Sequence, residues 1–232
     1  MSDQKKVTVN AVEVDPLERA RGFWDRYQKA IIGVGAAIIL VVGGWLVYKN
    51  YFKEPAEQRA AEAMYKAEEY FKSDSLNTAL NGDGTHKGFL YIIKNYGGTK
   101  SANLAHYYVG NIYLQNGDYN NAVKYLKEFS TDSKQIQMMA YGALGDAYSE
   151  LNKNDDAVNY YKKAANEFTD DVTMSSEYLF RAALKLETLG KNSEALELYK
   201  ELKEKYPNTQ RGYSADKYIY RLSIIPNDFS VK

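Results

Sequence analysis

Cysteine is absent from the 232 residues, and histidine occurs only twice. The lack of cysteine excludes disulfide bonds, thiolate catalysis and zinc sites built on sulfur. His86 and His106 are too few for a catalytic or metal site, and the sequence holds no P-loop, H-E-x-x-H or G-x-S-x-G pattern. We therefore expect no enzymatic activity, no catalytic residue, no metal and no cofactor.

An excess of charge of one sign is also missing, because Lys and Arg total 30 and Asp and Glu total 30. A nucleic-acid-binding surface requires a basic stripe, and the sequence has none. We expect neither nucleic acid nor a small-molecule substrate among the partners.

Long hydrophobic runs are limited to one, AIIGVGAAIILVVGGWLV, which holds 18 residues without a charge between Ala30 and Val47. At about 1.5 Å per residue, this run and its flanks span the roughly 30 Å of a bilayer core. Aromatic residues mark both ends of the run: Trp24, Tyr27, Trp45, Tyr48, Tyr51 and Phe52. The run predicts a transmembrane helix over 30–48, in preference to a cleaved signal or a buried core helix.

Basic residues near the run indicate its orientation. Four of them precede it (Arg19, Arg21, Arg26, Lys29) and three follow it (Lys49, Lys53, Arg59). The positive-inside rule then favours a cytoplasmic tail over 1–29, flexible in its N-terminal part, and the opposite side of the membrane for the rest. The inverted topology, with a cytoplasmic C-terminal part, is the alternative.

Three segments that share one register follow the run. They are YYVGNIYLQNGDYNNAVKYLKEF (107–129), GALGDAYSELNKNDDAVNYYKKA (142–164) and FRAALKLETLGKNSEALELYKEL (180–202). A small residue recurs at Gly110, Gly145 and Ala183, with periods of 35 and 38 residues. Antiparallel helices pack closely where small residues face each other, and a helix pair buries its apolar face only when pairs stack. The period predicts a solenoid of helical hairpins.

This pattern of small and aromatic residues, which ends at Pro207, resembles the tetratricopeptide repeat family. The resemblance implies an all-α fold in which one transmembrane helix precedes a hairpin solenoid. Three units are predicted within 100–209, at about 103–136, 138–171 and 176–209. The flanking segments are predicted as a helical linker with a degenerate first hairpin (49–99), broken by the loop SDSLNTALNGDG, and as a capping helix with a tail (210–232). The capping helix is expected to cover the edge of the stack with Tyr213, Tyr218, Tyr220 and Leu222.

The resemblance also implies a groove on the first helix of each unit. Residues at fixed offsets from the small residues are predicted to line it: Leu104, Tyr107, Asn111, Leu114, Met139, Gly142, Asp146, Phe180, Leu184 and Glu187. Repeat modules that clamp a carboxylate place Lys, Arg and Asn at such positions, and only Asn111 fits. We therefore predict binding of extended or helical protein segments through apolar anchors. The alternative is a groove filled by a loop of the chain itself or by a second subunit.

The overall layout resembles the YfgM-like group of bacterial inner-membrane proteins. A charged tail precedes one span, which is flanked by F-W-x-x-Y-x-K and G-W-L-V-Y-K-N-Y, and a helical repeat region follows. The string YGGTKSANLAHYYVG (96–110) also resembles the repeat domain of YbgF-type envelope proteins, which are soluble. The first resemblance implies an inner-membrane protein with a periplasmic repeat domain. Its partners would be the Sec translocon, periplasmic chaperones or nascent envelope proteins.

Two functions remain open from the sequence. One is a tethered interaction module that receives client or partner proteins beside the translocon. The other is a permanent scaffold subunit of an envelope complex with no client cycle.

Overall fold

The computed structural model describes residues 16–224, so the flexible start of the tail and the C-terminal tail predicted above lie outside the described residues. Within this range the chain is all α, with no β-strand, which confirms the predicted fold class. The elements are α1 (Pro16–Tyr48), a π-helical turn (Lys49–Lys53), α2 (Glu54–Lys72), α3 (Leu76–Asn81), α4 (Phe89–Asn95), α5 (Lys100–Gln115), α6 (Tyr119–Glu128), α7 (Lys134–Glu150), α8 (Asn154–Glu167), α9 (Val172–Thr188), α10 (Asn192–Lys205) and α11 (Gln210–Ser223). The chain divides into two units, Met1–Pro55 and Ala56–Lys232.

The first unit contains α1, which is long and apolar enough to cross a membrane. Its most apolar window of 18 residues has a mean hydropathy of 2.5, and none of that window is buried. Trp24 and Trp45 are about half exposed. A helix that is apolar all round and unburied has no partner surface within its own unit.

The second unit is a series of helical hairpins. Helix α5 packs on α6, α7 on α8 and α9 on α10, each hairpin contacts the next, and α11 packs on α9 and α10. The three units are predicted to begin at 103, 138 and 176. The first helices of the hairpins begin three or four residues earlier, at 100, 134 and 172.

The recurring small residues lie where the two helices of a hairpin touch. A Cβ atom added to Gly110 would lie 2.5 Å from the Leu126 side chain, and one added to Gly145 would lie 2.5 Å from the Tyr161 ring. In both hairpins the contacting residue follows sixteen positions after the glycine. The spacing read from the sequence is thus the spacing of a direct helix–helix contact.

The turns within the three hairpins share one backbone conformation. Gly117, Asn152 and Gly190 stand at corresponding places with φ of 77°, 57° and 72°. This left-handed region is open to Gly and tolerated by Asn. The N–H of the following residue donates to a carbonyl five residues back in each case, for example from Lys153 to Tyr148.

The loop predicted as SDSLNTALNGDG contains a short helix, α3, so the prediction of an unbroken loop is wrong. Ala79 and Leu80 are buried in the core of the second unit, and the Asn81 side chain donates to Asn77. Two apolar side chains in a polar string are too few to produce a detectable helical period. After α3, the Asp83 carboxylate accepts from the N–H groups of Thr85 and His86 and closes a tight turn.

Helix α11 covers the end of the stack with two of the four side chains predicted to do so. Gly212 and Ala215 are buried, and Tyr218 and Leu222 pack against the core. Tyr213 and Tyr220, which were expected to cover the apolar edge, are 76% and 71% exposed, so this prediction is wrong for both residues. Gly212 fixes the rotation of α11 about its axis, since a Cβ there would collide with the Tyr206 carbonyl. Tyr213, the next residue, is turned about 100° around the helix from this contact.

Candidate functional site: the first helices of the hairpins

The predicted groove residues lie on α5, α7 and α9, the first helices of the three hairpins, and their exposure differs widely. Met139 and Leu184 are exposed, at 43% and 39%. The half-buried members are Leu104, Tyr107, Asn111, Leu114, Asp146 and Glu187. Gly142 and Phe180 are buried. The set therefore does not form one continuous accessible surface.

The N-terminal part of this set offers accessible apolar surface. Leu104 borders a cleft of about 360 Å³ between α2 and α5. The cleft is lined by Ala61, Met64, Tyr65, Glu68, Lys100, Ser101 and Leu104. Met139 occupies on α7 the position that Leu104 occupies on α5, 35 residues earlier. Tyr65 is 63% exposed, so this cleft presents an aromatic ring and aliphatic groups to solvent.

Tyr107 is part of the packing and offers little free surface. Its ring centroid lies 5.2 Å from that of Phe129 and 6.0 Å from that of Tyr108. Burial raises the pKa of its hydroxyl. The Asn111 side-chain amide donates to the Tyr107 carbonyl at 2.8 Å, so this amide is engaged within α5.

A side chain from the next hairpin fills the centre of the predicted groove. Gly142 lies directly under the ring of Tyr178 on α9, where any Cβ would collide with the ring. Tyr178 is buried, and burial raises its pKa to about 12. The Arg181 guanidinium lies 5.7 Å from the centre of the Tyr178 ring. At this point the groove is therefore filled by a side chain from a neighbouring helix, whereas the sequence had left open a loop of the chain or a second subunit as the occupant.

The two acidic groove residues are both paired. Asp146 accepts from the Tyr161 hydroxyl at 2.7 Å and from Arg181 at 2.9 Å. Glu187 accepts from the Tyr199 hydroxyl at 3.0 Å and also pairs with Arg221 on α11. The charge of each carboxylate is thus already compensated by an arginine of the chain, which weakens its attraction for a basic ligand.

Phe180 belongs to the core, which corrects the expectation that its ring faces solvent. The side chain is 4% exposed. The Arg211 guanidinium lies 4.1 Å from the centre of its ring, and the Tyr218 ring, also from α11, lies at 5.2 Å. The capping helix thus covers this end of the groove, because its long side chains reach back over α9.

Glu177 connects the ion pairs of α9 and α11. Its carboxylate accepts from Arg181 at 2.9 Å and from Arg211 at 2.6 Å. Burial alone would raise the pKa of Glu177, but the hydrogen bonds from Arg211 and Arg181 lower it below its usual value. Burial opposes the charge of Arg181 as well, yet Glu177 and Asp146 raise its pKa. We call the six charged residues of this surface the ion-pair row: Asp146, Glu177, Arg181, Glu187, Arg211 and Arg221.

Tyr178 and four members of the ion-pair row were not identified from the sequence, although the spacing of the charged residues in the sequence indicates the ion pairs. Opposite charges recur one repeat apart, at 35 residues for Asp146 and Arg181 and at 34 for the pairs that α11 completes. Residues one period apart lie on adjacent helices of the same face, so such a spacing predicts ion pairs between neighbouring repeats.

Leu114 and Leu184 lie near the C-terminal ends of their helices. Leu114 packs against the core. Leu184 borders a cleft of about 220 Å³, whose lining is completed by Ser149, Tyr161, Arg181, Lys185 and Thr188. This cleft is smaller and more polar than the one between α2 and α5. Among residues 16–224, no group of three His, Asp or Glu side chains is placed to hold a metal ion.

His106 on α5 gives the stability a pH dependence. Its Nδ1 atom is buried without a hydrogen-bond partner in the described part of the chain, and its ring lies 5.8 Å from that of Tyr125. Burial lowers the pKa of His106 below 6.5, against the opposing charge of Glu128. The unfolded chain therefore takes up this proton at a higher pH than the folded chain. The contribution to stability is complete above pH 6.5 and falls as the pH drops towards the folded pKa.

We expect the melting temperature to fall on mild acidification below pH 6.5, and to fall less in His106→Leu, which carries the residue found at the corresponding position 179. Melting curves of both proteins between neutral pH and the onset of carboxylate titration measure the difference. Because His86 is present in both proteins, the difference between their melting curves reports on His106 alone. Equal slopes would show that His106 has the same pKa in the folded and unfolded chains.

Comparison with known families agrees with this architecture. Residues 21–144 match the model described as a tetratricopeptide repeat-like domain, and residues 143–208 match the model of the tetratricopeptide repeat. No curated protein matches the chain. Repeats of these families are typically non-catalytic modules for protein–protein interaction. Because the first match covers more than half of the sequence, the chain belongs to the tetratricopeptide repeat-like domain family.

Proposed function

We propose that this chain is a membrane-anchored interaction module that binds apolar-anchored segments of client or partner proteins at its N-terminal hairpins. The observation that carries the proposal is the cleft of about 360 Å³ between α2 and α5, with Tyr65 exposed at its edge. One repeat further on, Met139 presents a second exposed anchor. Aromatic and Met side chains contribute much of the affinity in protein interfaces.

The membrane anchor in this proposal is the segment 30–48 of α1. Its apolar surface is unburied, and aromatic residues flank it on both sides. The distribution of basic residues supports a cytoplasmic N-terminus and a periplasmic repeat domain. A groove tethered at a membrane meets emerging segments at high effective concentration, so modest affinity per site suffices.

The partners that we propose are the Sec translocon, periplasmic chaperones and nascent envelope proteins at the bacterial inner membrane. This assignment is supported by the layout of tail, span and repeats, which resembles the YfgM-like group. Protease treatment of spheroplasts and of inverted membrane vesicles tests the topology. Cleavage of the repeat domain only in spheroplasts is the expected result, and cleavage only in inverted vesicles would overturn the orientation.

Photocrosslinking from single positions of the full-length chain in membranes tests the binding surface. A photoreactive residue at position 104 or 139 is expected to give abundant crosslinks to other proteins. The same residue at the exposed position 124 of α6 is the matched control and is expected to give few. Equal yields at positions 139 and 124 would overturn the proposed surface.

The identity of the crosslinked products separates a client-binding module from a permanent scaffold. Many unrelated products whose abundance falls when protein synthesis is blocked would support client binding. A small and constant set of products at fixed stoichiometry would instead identify a scaffold subunit and overturn the client cycle.

A further inference from the structure

The outer face of α11 carries an apolar stripe that the fold itself does not use. Tyr213, Tyr220 and Ile224 are 76%, 71% and 48% exposed. Tyr213 and Tyr220 are seven residues apart and therefore lie along one line of the helix, and Ile224 is the residue that follows the last turn of the helix.

This stripe is opposite to the face with which α11 packs on the stack. The inner face consists of the buried Gly212 and Ala215, with Tyr218 and Leu222 against the core. A helix that ends a solenoid ordinarily presents a polar outer face, which keeps the stack soluble. Two tyrosines in line on that face are characteristic of an interaction surface.

Two opposite charges flank the stripe on its two sides. At 3.6 residues per turn, Asp216 lies about 60° to one side of Tyr213 and Lys217 lies about 40° to the other side. Both residues are exposed. Asp216 pairs with Lys203 on α10, but its side chain keeps 66% of its surface exposed, so the carboxylate is open to a second cation.

The stripe and its flanking charges on one copy of α11 complement those on a second copy when the two helices run parallel. When two copies of α11 pack in parallel about a twofold axis along the helices, the Asp216 side of one copy meets the Lys217 side of the other, and this pairing occurs twice. Tyr213 then faces Tyr213, and Tyr220 faces Tyr220. In the antiparallel arrangement, Asp216 would face Asp216 and Lys217 would face Lys217.

We propose that α11 forms a parallel, twofold contact with α11 of a second copy of this chain, so that the protein associates as a dimer through its capping helix. The contact is small, with one stripe of three apolar residues and two pairs of charges. Anchoring of both copies in one membrane, as proposed above, raises their effective concentration and compensates for the small area. The dimer surface is separate from the cleft between α2 and α5.

Disulfide crosslinking tests the proposal without background, because the chain contains no cysteine. The full-length Tyr213→Cys and Tyr220→Cys variants, each in native membranes under mild oxidation, are expected to form disulfide-linked dimers. Lys124→Cys, exposed on α6, is the control and is expected to stay monomeric. Dimers formed only when Tyr213→Cys and Tyr220→Cys are mixed would overturn the parallel arrangement.

Charge reversal tests the pairing itself. Lys217→Asp or Asp216→Lys alone, in the Tyr220→Cys background, is expected to remove most of the dimer, and the double variant Asp216→Lys/Lys217→Asp is expected to restore it. Retained helical circular dichroism and a cooperative melting transition show that each variant folds, with a small loss of stability allowed where Asp216→Lys removes the ion pair with Lys203. Crosslinking no higher than in the Lys124→Cys control would overturn the proposal. Crosslinking that charge reversal leaves unchanged would overturn the ion pairing.

Discussion

Replacing Gly145 by leucine is expected to destabilise the repeat domain by about 1 to 3 kcal/mol or more, because the new side chain must displace the Tyr161 ring. Gly145 is buried in α7, and even a Cβ atom would lie 2.5 Å from that ring. Tyr161 in turn donates its hydroxyl to Asp146 and is held in place. In a stack whose repeats are stabilised by their neighbours, loosening of the α7–α8 hairpin also weakens the hairpins on either side.

Denaturant unfolding of the wild type and of Gly145→Leu, followed by helical circular dichroism, measures this loss. Asn159→Leu adds a similar side chain to the exposed face of α8 and serves as the control, with a change within about 0.5 kcal/mol expected. Ala157→Leu, which crowds the same interface from the wholly buried Ala157, is expected to resemble Gly145→Leu. If both core variants unfolded at the wild-type midpoint, the repeat register would be wrong.

The helix–helix contact at Gly145 was predictable because the contact is made within one repeat. The sixteen-residue spacing from Gly145 to Tyr161 recurs between Gly110 and Leu126, and both contacts are present in the structure. Backbone approach at small residues depends only on local sequence and on helical geometry. The apolar character of α1 was predictable for a similar reason, since composition and length alone define a candidate span.

The groove was harder to predict because its filling depends on side chains that reach across repeats. The register correctly placed Gly142 and Phe180 on the first helices. It could not reveal that Tyr178 lies over Gly142 or that Arg211 lies over Phe180, since both contacts come from the next helix of the same face. Long side chains have many rotamers, and the choice among them is set by packing that the sequence pattern does not display.

Because side chains of the protein itself fill the groove around α9, we expect the binding surface to lie at the N-terminal hairpins. Around α9, the ion-pair row and the capping helix already satisfy the charges and cover the aromatic ring of Phe180. A ligand there would have to break several partly buried charge pairs, which is costly. Between α2 and α5, Tyr65 and Leu104 border an open cleft, and a ligand needs only to displace water.

Variants of Phe180 and Met139 test whether partners bind at the N-terminal hairpins or at α9. Phe180→Ala is expected to cost about 3 to 5 kcal/mol of folding free energy, because it removes a ring that is 4% exposed and leaves a cavity beneath Arg211 and Tyr218. Met139→Ala removes a side chain that is 43% exposed, so its stability is expected to stay within about 0.5 kcal/mol of the wild type. Denaturant midpoints of both variants give the two values.

The same pair of variants is then compared in crosslinking from position 104 in membranes, at a temperature where both remain folded. Met139→Ala is expected to lower the yield of crosslinked partner, because an exposed anchor one repeat beyond the cleft is lost. Phe180→Ala is expected to keep it, because the ring lies under the capping helix and does not touch the partner. A stable Phe180→Ala protein with lost crosslinking would return the binding surface to α9, and a destabilised Met139→Ala protein would place that side chain in the core.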